Sequence, residues 1–188
     1  MSVPCFALFE TAIGPCAIAW GQRGILGVQL PERNAAATRA RVRRRFTGAH
    51  ESVPPSAVQN AIDAMVALLH GEARDLSAIV LDMSRVSPFH RQVYELARAI
   101  PPGATVSYGE LAARVGEPGA ARAVGQALGR NPFPIIVPCH RVLAAGGKPG
   151  GFSAKGGVET KFRMLAAEGV TLNLVSASEP VVRSARRA

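Results

Sequence analysis

The stretch "NPFPIIVPCHRV", residues 131–142, sets a cysteine between a proline and a histidine, directly behind an apolar run. A cysteine that only fills a core needs no such neighbours. A zinc ligand ordinarily has its companion roughly two to four residues away rather than adjacent. Ile135, Ile136 and Val137 read as a short buried strand, ended by Pro138, which has no N–H to give a ladder. Cys139 then falls at a strand end or turn. His140 beside it can supply the base or cation that a reactive thiolate requires, and Arg141 adds positive charge. Asn131 and the flanking prolines would stiffen the loop that presents the sulfur. In extended backbone adjacent side chains face opposite ways, so His140 reaches Cys139 only if the chain turns or a water bridges them. Its other ring nitrogen needs an orienting carboxylate, and Glu168, in the helical run "VETKFRMLAAEG" (158–169), is the candidate.

Upstream the pattern is helical from Pro88. "FHRQVYELARAI" (89–100) puts Val93, Leu96, Ala97 and Ile100 on one face before "PPG" breaks it. "SYGELAARVG" (107–116) opens with Ser107 as N-cap and Glu110 three residues on, a capping box. "EPG" is a tight turn, and "AARAVGQALGRN" (120–131) is a third helix, stopped at Asn131-Pro132. Two helices joined by a short turn resemble a helix-turn-helix. Ala120, Ala121, Ala123 and Gly125 leave the start of the third helix nearly bare, with Arg122 the one long side chain among them. Such a surface either approaches a nucleic-acid groove, with Arg122 entering the duplex, or packs closely on a neighbouring helix.

The first 85 residues read as a small α/β unit. "CFALFETAIGPCAIAW" and "GILGVQLPE" are β-like, broken at "GPC" and "GQRG". Asn34 is a natural N-cap for a helix that stops at Gly48 and carries Arg41, Arg43, Arg44 and Arg45, which form a solvated face or touch phosphates. A second helix ends at Gly71, and "LSAIVLDMS" (76–84) reads as another strand. The boundary falls around "SRVSPFHRQ", which gives an α/β unit over 1–85, a mainly α unit over 86–175 and a basic, disordered tail over 176–188.

The formal net charge is +9 and the sequence pI near 10.7, which favours a polyanionic partner, nucleic acid foremost. Residues 86–175 carry 10 basic and 5 acidic side chains against 9 and 7 in residues 1–85, so the excess lies in the half that holds Cys139. No apolar run reaches the roughly 20 residues that span a bilayer, and the N-terminus lacks a signal-peptide pattern. Three cysteines, an odd number, argue against a disulfide framework, so a cytoplasmic protein with free thiols is expected. No metal site is expected: no Cys-x-x-Cys or His-x-x-x-His pair exists, and Cys5, Cys16, His50 and His70 are scattered.

"NPFPIIVPCHRV", preceded by "SYGELAARVG" and "AARAVGQALGRNP", resembles the O6-alkylguanine-DNA alkyltransferase family, the methylated-DNA–protein-cysteine methyltransferases, over residues 86–170. The resemblance implies a ribonuclease-H-like N-terminal domain and a mainly α C-terminal domain with a winged-helix-like helix-turn-helix. It implies that Cys139 accepts an alkyl group from O6-alkylguanine, and from O4-alkylthymine, in double-stranded DNA. His140 would reach Cys139 through water, Glu168 would orient His140, and Asn131 would brace the turn. Arg122 would replace the extruded base, Tyr108 would press on its phosphate, and Ala121, Ala123, Gly125, Arg130 and Arg141 would lie against DNA in the minor groove. Pro134, Val142, Phe152 and Ser153 would line the base pocket, with Phe152 standing where many relatives have tyrosine. The resemblance further implies a monomer that uses no cofactor and reacts once, because a thioether, unlike a thioester, offers water no carbonyl to attack. Two other readings stay open. A cysteine hydrolase built on Cys139 and His140 would turn over repeatedly, and a damage sensor or helix-turn-helix regulator would bind without reacting.

Overall fold

The structure is a computed structural model that describes residues 3–171; the expected tail, 176–188, lies outside the described residues. β1 (Cys5–Phe9), β2 (Cys16–Gly21) and β3 (Gly24–Gln29) form an antiparallel meander, and β4 (His50–Glu51) adds to β1 in parallel, giving the order β3-β2-β1-β4. Side chains alternate across a strand, so Phe6 and Leu8 meet α1 (Ala35–Arg45), while Ala7 faces the larger core with α2 (Ser56–Leu69). Residues 16–20 of β2 are buried throughout, as a central strand covered on both faces must be. Asn34 caps α1 as expected: its side chain accepts from the Ala37 amide at 2.9 Å.

From residue 88 helices dominate. α3 (Pro88–Arg98) starts with Pro88 in its first turn and Ser87 as cap, and buries Val93, Tyr94 and Ala97. α4 (Tyr108–Val115) carries the expected capping box, Ser107 with Glu110, and ends on Gly116 at φ 92°. That left-handed value favours glycine. α5 (Ala121–Gly129) follows after a short turn. The Tyr94 hydroxyl donates to the Ala127 carbonyl at 2.9 Å and bolts α3 to α5 inside the core. β5 (Val106–Ser107) and β6 (Val142–Leu143) pair in parallel, which ties the start of α4 to the chain just past Cys139. α6 (Val158–Ala167) closes the described chain. One apolar cluster runs from Ile18 and Met65 through Tyr94 and Leu111 to Met164, so both halves share a core.

Two expected strands are absent. Residues 135–137 form a turn, because the Asn131 side chain supplies the bonds a neighbouring strand would have given. Residues 76–84 make a single parallel bridge, Leu81 with Ile25, flanked by one bond from the Ile25 amide and one to its carbonyl. The Asp82 side chain then turns the chain by accepting from the Ser84 amide. Ser107→Ala removes the acceptor for the Glu110 amide and is expected to cost about 1 kcal/mol in denaturant unfolding.

Candidate active site

Asn131 closes the turn ahead of the cysteine. Its Nδ2 donates to the Val137 carbonyl at 2.8 Å, and its Oδ1 accepts from the Phe133 amide at 2.9 Å. The Val137 amide bonds back to the Phe133 carbonyl at 2.8 Å. Ile135, in the middle, takes φ 75°, an unfavourable state for a β-branched residue, worth roughly 1–2 kcal/mol. It is held there by burial at 1 % exposure. Cys139–Arg141 is a single 3-10 turn, so the backbone does turn between sulfur and imidazole. Burial raises the Cys139 thiol above its ordinary value, against a hydrogen bond from the Asn131 side chain, the Lys161 charge and local backbone groups, which lower it.

Behind this turn sits a charge cluster with no solvent exposure at His140 or Glu168. His140 Nε2 and Glu168 Oε1 are 2.9 Å apart. Arg141 donates to both carboxylate oxygens, from Nε at 2.9 Å and Nη2 at 2.8 Å, and from Nη1 to the Ile100 carbonyl. Burial favours a neutral Glu168 carboxyl, but the hydrogen bond from His140 and the bonds and charge of Arg141 outweigh it and hold the group down at about 2. An ionised carboxylate only accepts, so His140 Nε2 carries the proton that joins them. Burial, stronger than the pull of Glu168, lowers His140 and keeps the ring neutral. Nδ1 is then a lone pair, and among the described residues it bonds no protein atom. Arg141 is not on the DNA-facing surface expected of it. Its side chain is 5 % exposed and committed to Glu168, because an interior carboxylate demands a cation beside it.

Sequence reasoning missed Lys161. It is fully buried, donating to the carbonyls of Val142 at 2.7 Å and Pro149 at 2.6 Å, with Nζ 5.8 Å from the Tyr108 ring centre. Burial lowers it to about 8 against the opposing pull of Cys139. The available signal was its position: a lysine three and four residues before the apolar Met164 and Leu165, on the helix face that leads to Glu168.

Cys139 is 8 % exposed, yet it lines a pocket of about 510 Å3, within the roughly 300–1,000 Å3 of small-ligand sites. α5 contributes Gly125, Leu128 and Gly129, and α4 contributes Tyr108; Gly151, Phe152 and Ser153 form the facing loop. Ser153 Oγ ties that loop to the Gly129 carbonyl at 3.0 Å. Gly150, at φ 65°, passes so close to Tyr108 that a Cβ there would stand 3.0 Å from its ring. Burial, followed by the Cys139 charge, raises the Tyr108 hydroxyl, so it stays protonated. Two expected wall residues are elsewhere: Pro134 is buried in the Asn131 turn, and Val142 is fully buried in β6 with its carbonyl bound by Lys161. Arg122 and Arg130 are exposed at the two ends of α5, with Ala121 and Ala123 half-buried on either side of Arg122. Among the described residues no three His, Cys, Asp or Glu side chains stand together as metal ligands, and no helix is long and apolar enough to cross a membrane.

A methylated-DNA–protein-cysteine methyltransferase of Methanothermobacter thermautotrophicus is 36 % identical over 155 residues, covering 82 % of this chain and 80 % of its own length. This chain belongs to that family. The enzyme class follows with it, a DNA-repair methyltransferase, as the resemblance of residues 86–170 implied. A sequence model of the family's part described as "6-O-methylguanine DNA methyltransferase, DNA binding domain" matches residues 88–170. The crystal structure of Mycobacterium tuberculosis OGT in complex with DNA superposes with a TM-score of 0.72 at 35 % identity, covering 87 % of this chain and 92 % of that one. The O6-methylguanine-DNA methyltransferase of Pyrococcus kodakaraensis superposes with a TM-score of 0.67 at 29 % identity, over 89 % and 99 % of the two chains.

Glu168→Gln removes the anion facing Arg141 and is expected to destabilise the fold by about 3–5 kcal/mol in denaturant titration. Because the folded-state carboxyl lies below its ordinary 4.5, its contribution is complete above 4.5 and is lost as pH falls toward about 2. Unfolding free energies of the native chain measured across that window should decline, and those of Glu168→Gln should decline less.

Proposed function

We propose that the chain moves the methyl group of O6-methylguanine in duplex DNA onto Sγ of Cys139, once per molecule, with O4-alkylthymine as a second substrate. The observation that carries this is a buried thiol that lines a pocket whose wall includes the small-residue helix α5. The thiol proton passes through a water to Nδ1 of His140, which Glu168 holds in the accepting tautomer. Sulfur attacks the methyl carbon in one displacement, the carbon–O6 bond breaks, and its electron pair remains on guanine. The Tyr108 hydroxyl donates a proton to the departing base, a role its raised pKa suits at neutral pH. The resulting thioether has no route back to thiol. No cofactor enters, because acceptor and acid are the protein's own side chains.

The methyl lies inside the duplex, so the nucleotide must rotate out, at a few kcal/mol. Arg122, exposed at the start of α5, would fill the gap from the minor groove, where the small side chains beside it allow close approach. Arg130 would meet the phosphates. We read residues 1–85 as a ribonuclease-H-like unit and 86–175 as a winged-helix-like unit that does the binding and the chemistry.

Cys139→Ala should still bind duplex DNA and transfer nothing; transfer by that variant would sink the reading. Arg122→Ala should slow repair of O6-methylguanine in duplex by more than about tenfold while reacting normally with free O6-benzylguanine. Equal losses on the two substrates would remove the gap-filling role.

A further inference from the structure

We infer that Arg45 is a positioning residue for alkyl transfer, holding through the Pro132–Phe133 peptide the Asn131 amide that braces the turn presenting Cys139. Arg45 ends α1, in the half of the chain that contributes nothing to the pocket wall. Its guanidinium spans two carbonyls: Nη1 donates to Val28 and Nη2 to Pro132, each at 2.9 Å. The Val28 amide also donates to the Pro132 carbonyl at 2.9 Å, so that oxygen receives two bonds from the N-terminal half. Gly27 makes room, since a Cβ there would stand 2.7 Å from the same oxygen.

The Pro132 carbonyl and the Phe133 N–H belong to one planar peptide group. The carbonyl edge is fixed by Arg45 and Val28, and the N–H edge donates to Asn131 Oδ1. With Oδ1 taken by Phe133 and Nδ2 by Val137, the Asn131 amide has one orientation, and the Val137 carbonyl it holds also accepts from the Cys139 amide at 2.8 Å. If the peptide swings, Oδ1 loses its donor, the amide is free to turn, and the Val137 carbonyl that seats the Cys139 amide loses its brace. The first 85 residues thereby reach a thiol whose pocket they do not line. A planar fork suits two carbonyls better than an ammonium does, and the Phe46 ring, 5.0 Å from the guanidinium carbon, keeps the fork in place.

This inference rests on Cys139 being the acceptor, and its test separates the two. Full-length wild type, Arg45→Met and Arg45→Lys are compared in single-turnover reaction with free O6-benzylguanine, which bypasses DNA binding and base rotation. The pH dependence of iodoacetamide alkylation is followed in parallel on the Cys139 peptide by mass. Arg45→Met is expected to slow the reaction about tenfold and to move the Cys139 midpoint up, because losing the Asn131 bond removes an influence that lowers it. Arg45→Lys should fall between. A lowered melting temperature with wild-type rate and an unmoved midpoint would make Arg45 merely structural and overturn the inference. If Arg45→Met does not fold, Arg45→Lys decides on the same two readouts. Label from O6-benzylguanine on a residue other than Cys139 in the wild type would instead overturn the acceptor assignment.

Discussion

The Glu168 carboxylate is the constraint on which the reactive centre depends. It is buried at the end of α6 and bound by His140, by two nitrogens of Arg141 and by the Gly103 amide at 3.3 Å. Without Arg141 an interior anion would protonate or draw in water; with it, the charge stays and dictates which His140 nitrogen holds the proton. One ion pair thus ties together the last helix, the 3-10 turn Cys139–Arg141 and the loop between α3 and β5.

Around that anchor the sulfur is poised between opposing influences. Burial keeps it a thiol, while Asn131 and Lys161 favour the thiolate once its proton has somewhere to go. Lys161 links the walls of the pocket, since it binds the Val142 carbonyl beside the turn and the Pro149 carbonyl ahead of the pocket loop, near the Tyr108 ring. The parallel pairing of β5 with β6 sets Tyr108 and Cys139 on neighbouring segments, although 31 positions separate them in sequence.

The sequence carried its clearest signals where a local rule suffices. The caps at Asn34 and Ser107 and the contact between His140 and Glu168 stand where residue type and spacing put them. Its weakest signals lay where tertiary partners override a local preference. Ile135–Val137 has the composition of a strand, but Asn131 satisfies its backbone and bends it. Arg141 looked like a surface cation because nothing in a linear pattern shows that a carboxylate 27 residues away needs it inside. β4 consists of two exposed residues with no periodicity to read. The Arg45–Pro132 bond joins positions 87 apart, a separation that no motif describes.

The central claim, that Cys139 is consumed in taking up the methyl group, is tested most directly by stoichiometry. Excess duplex carrying O6-methylguanine is incubated with a known amount of protein, restored guanine is counted, and the protein is digested and mapped by mass. The account predicts one guanine restored per chain, after which the reaction stops, with a single methyl on the peptide that contains Cys139. Repeated turnover with an unmodified Cys139, or a methyl on another residue, would contradict it.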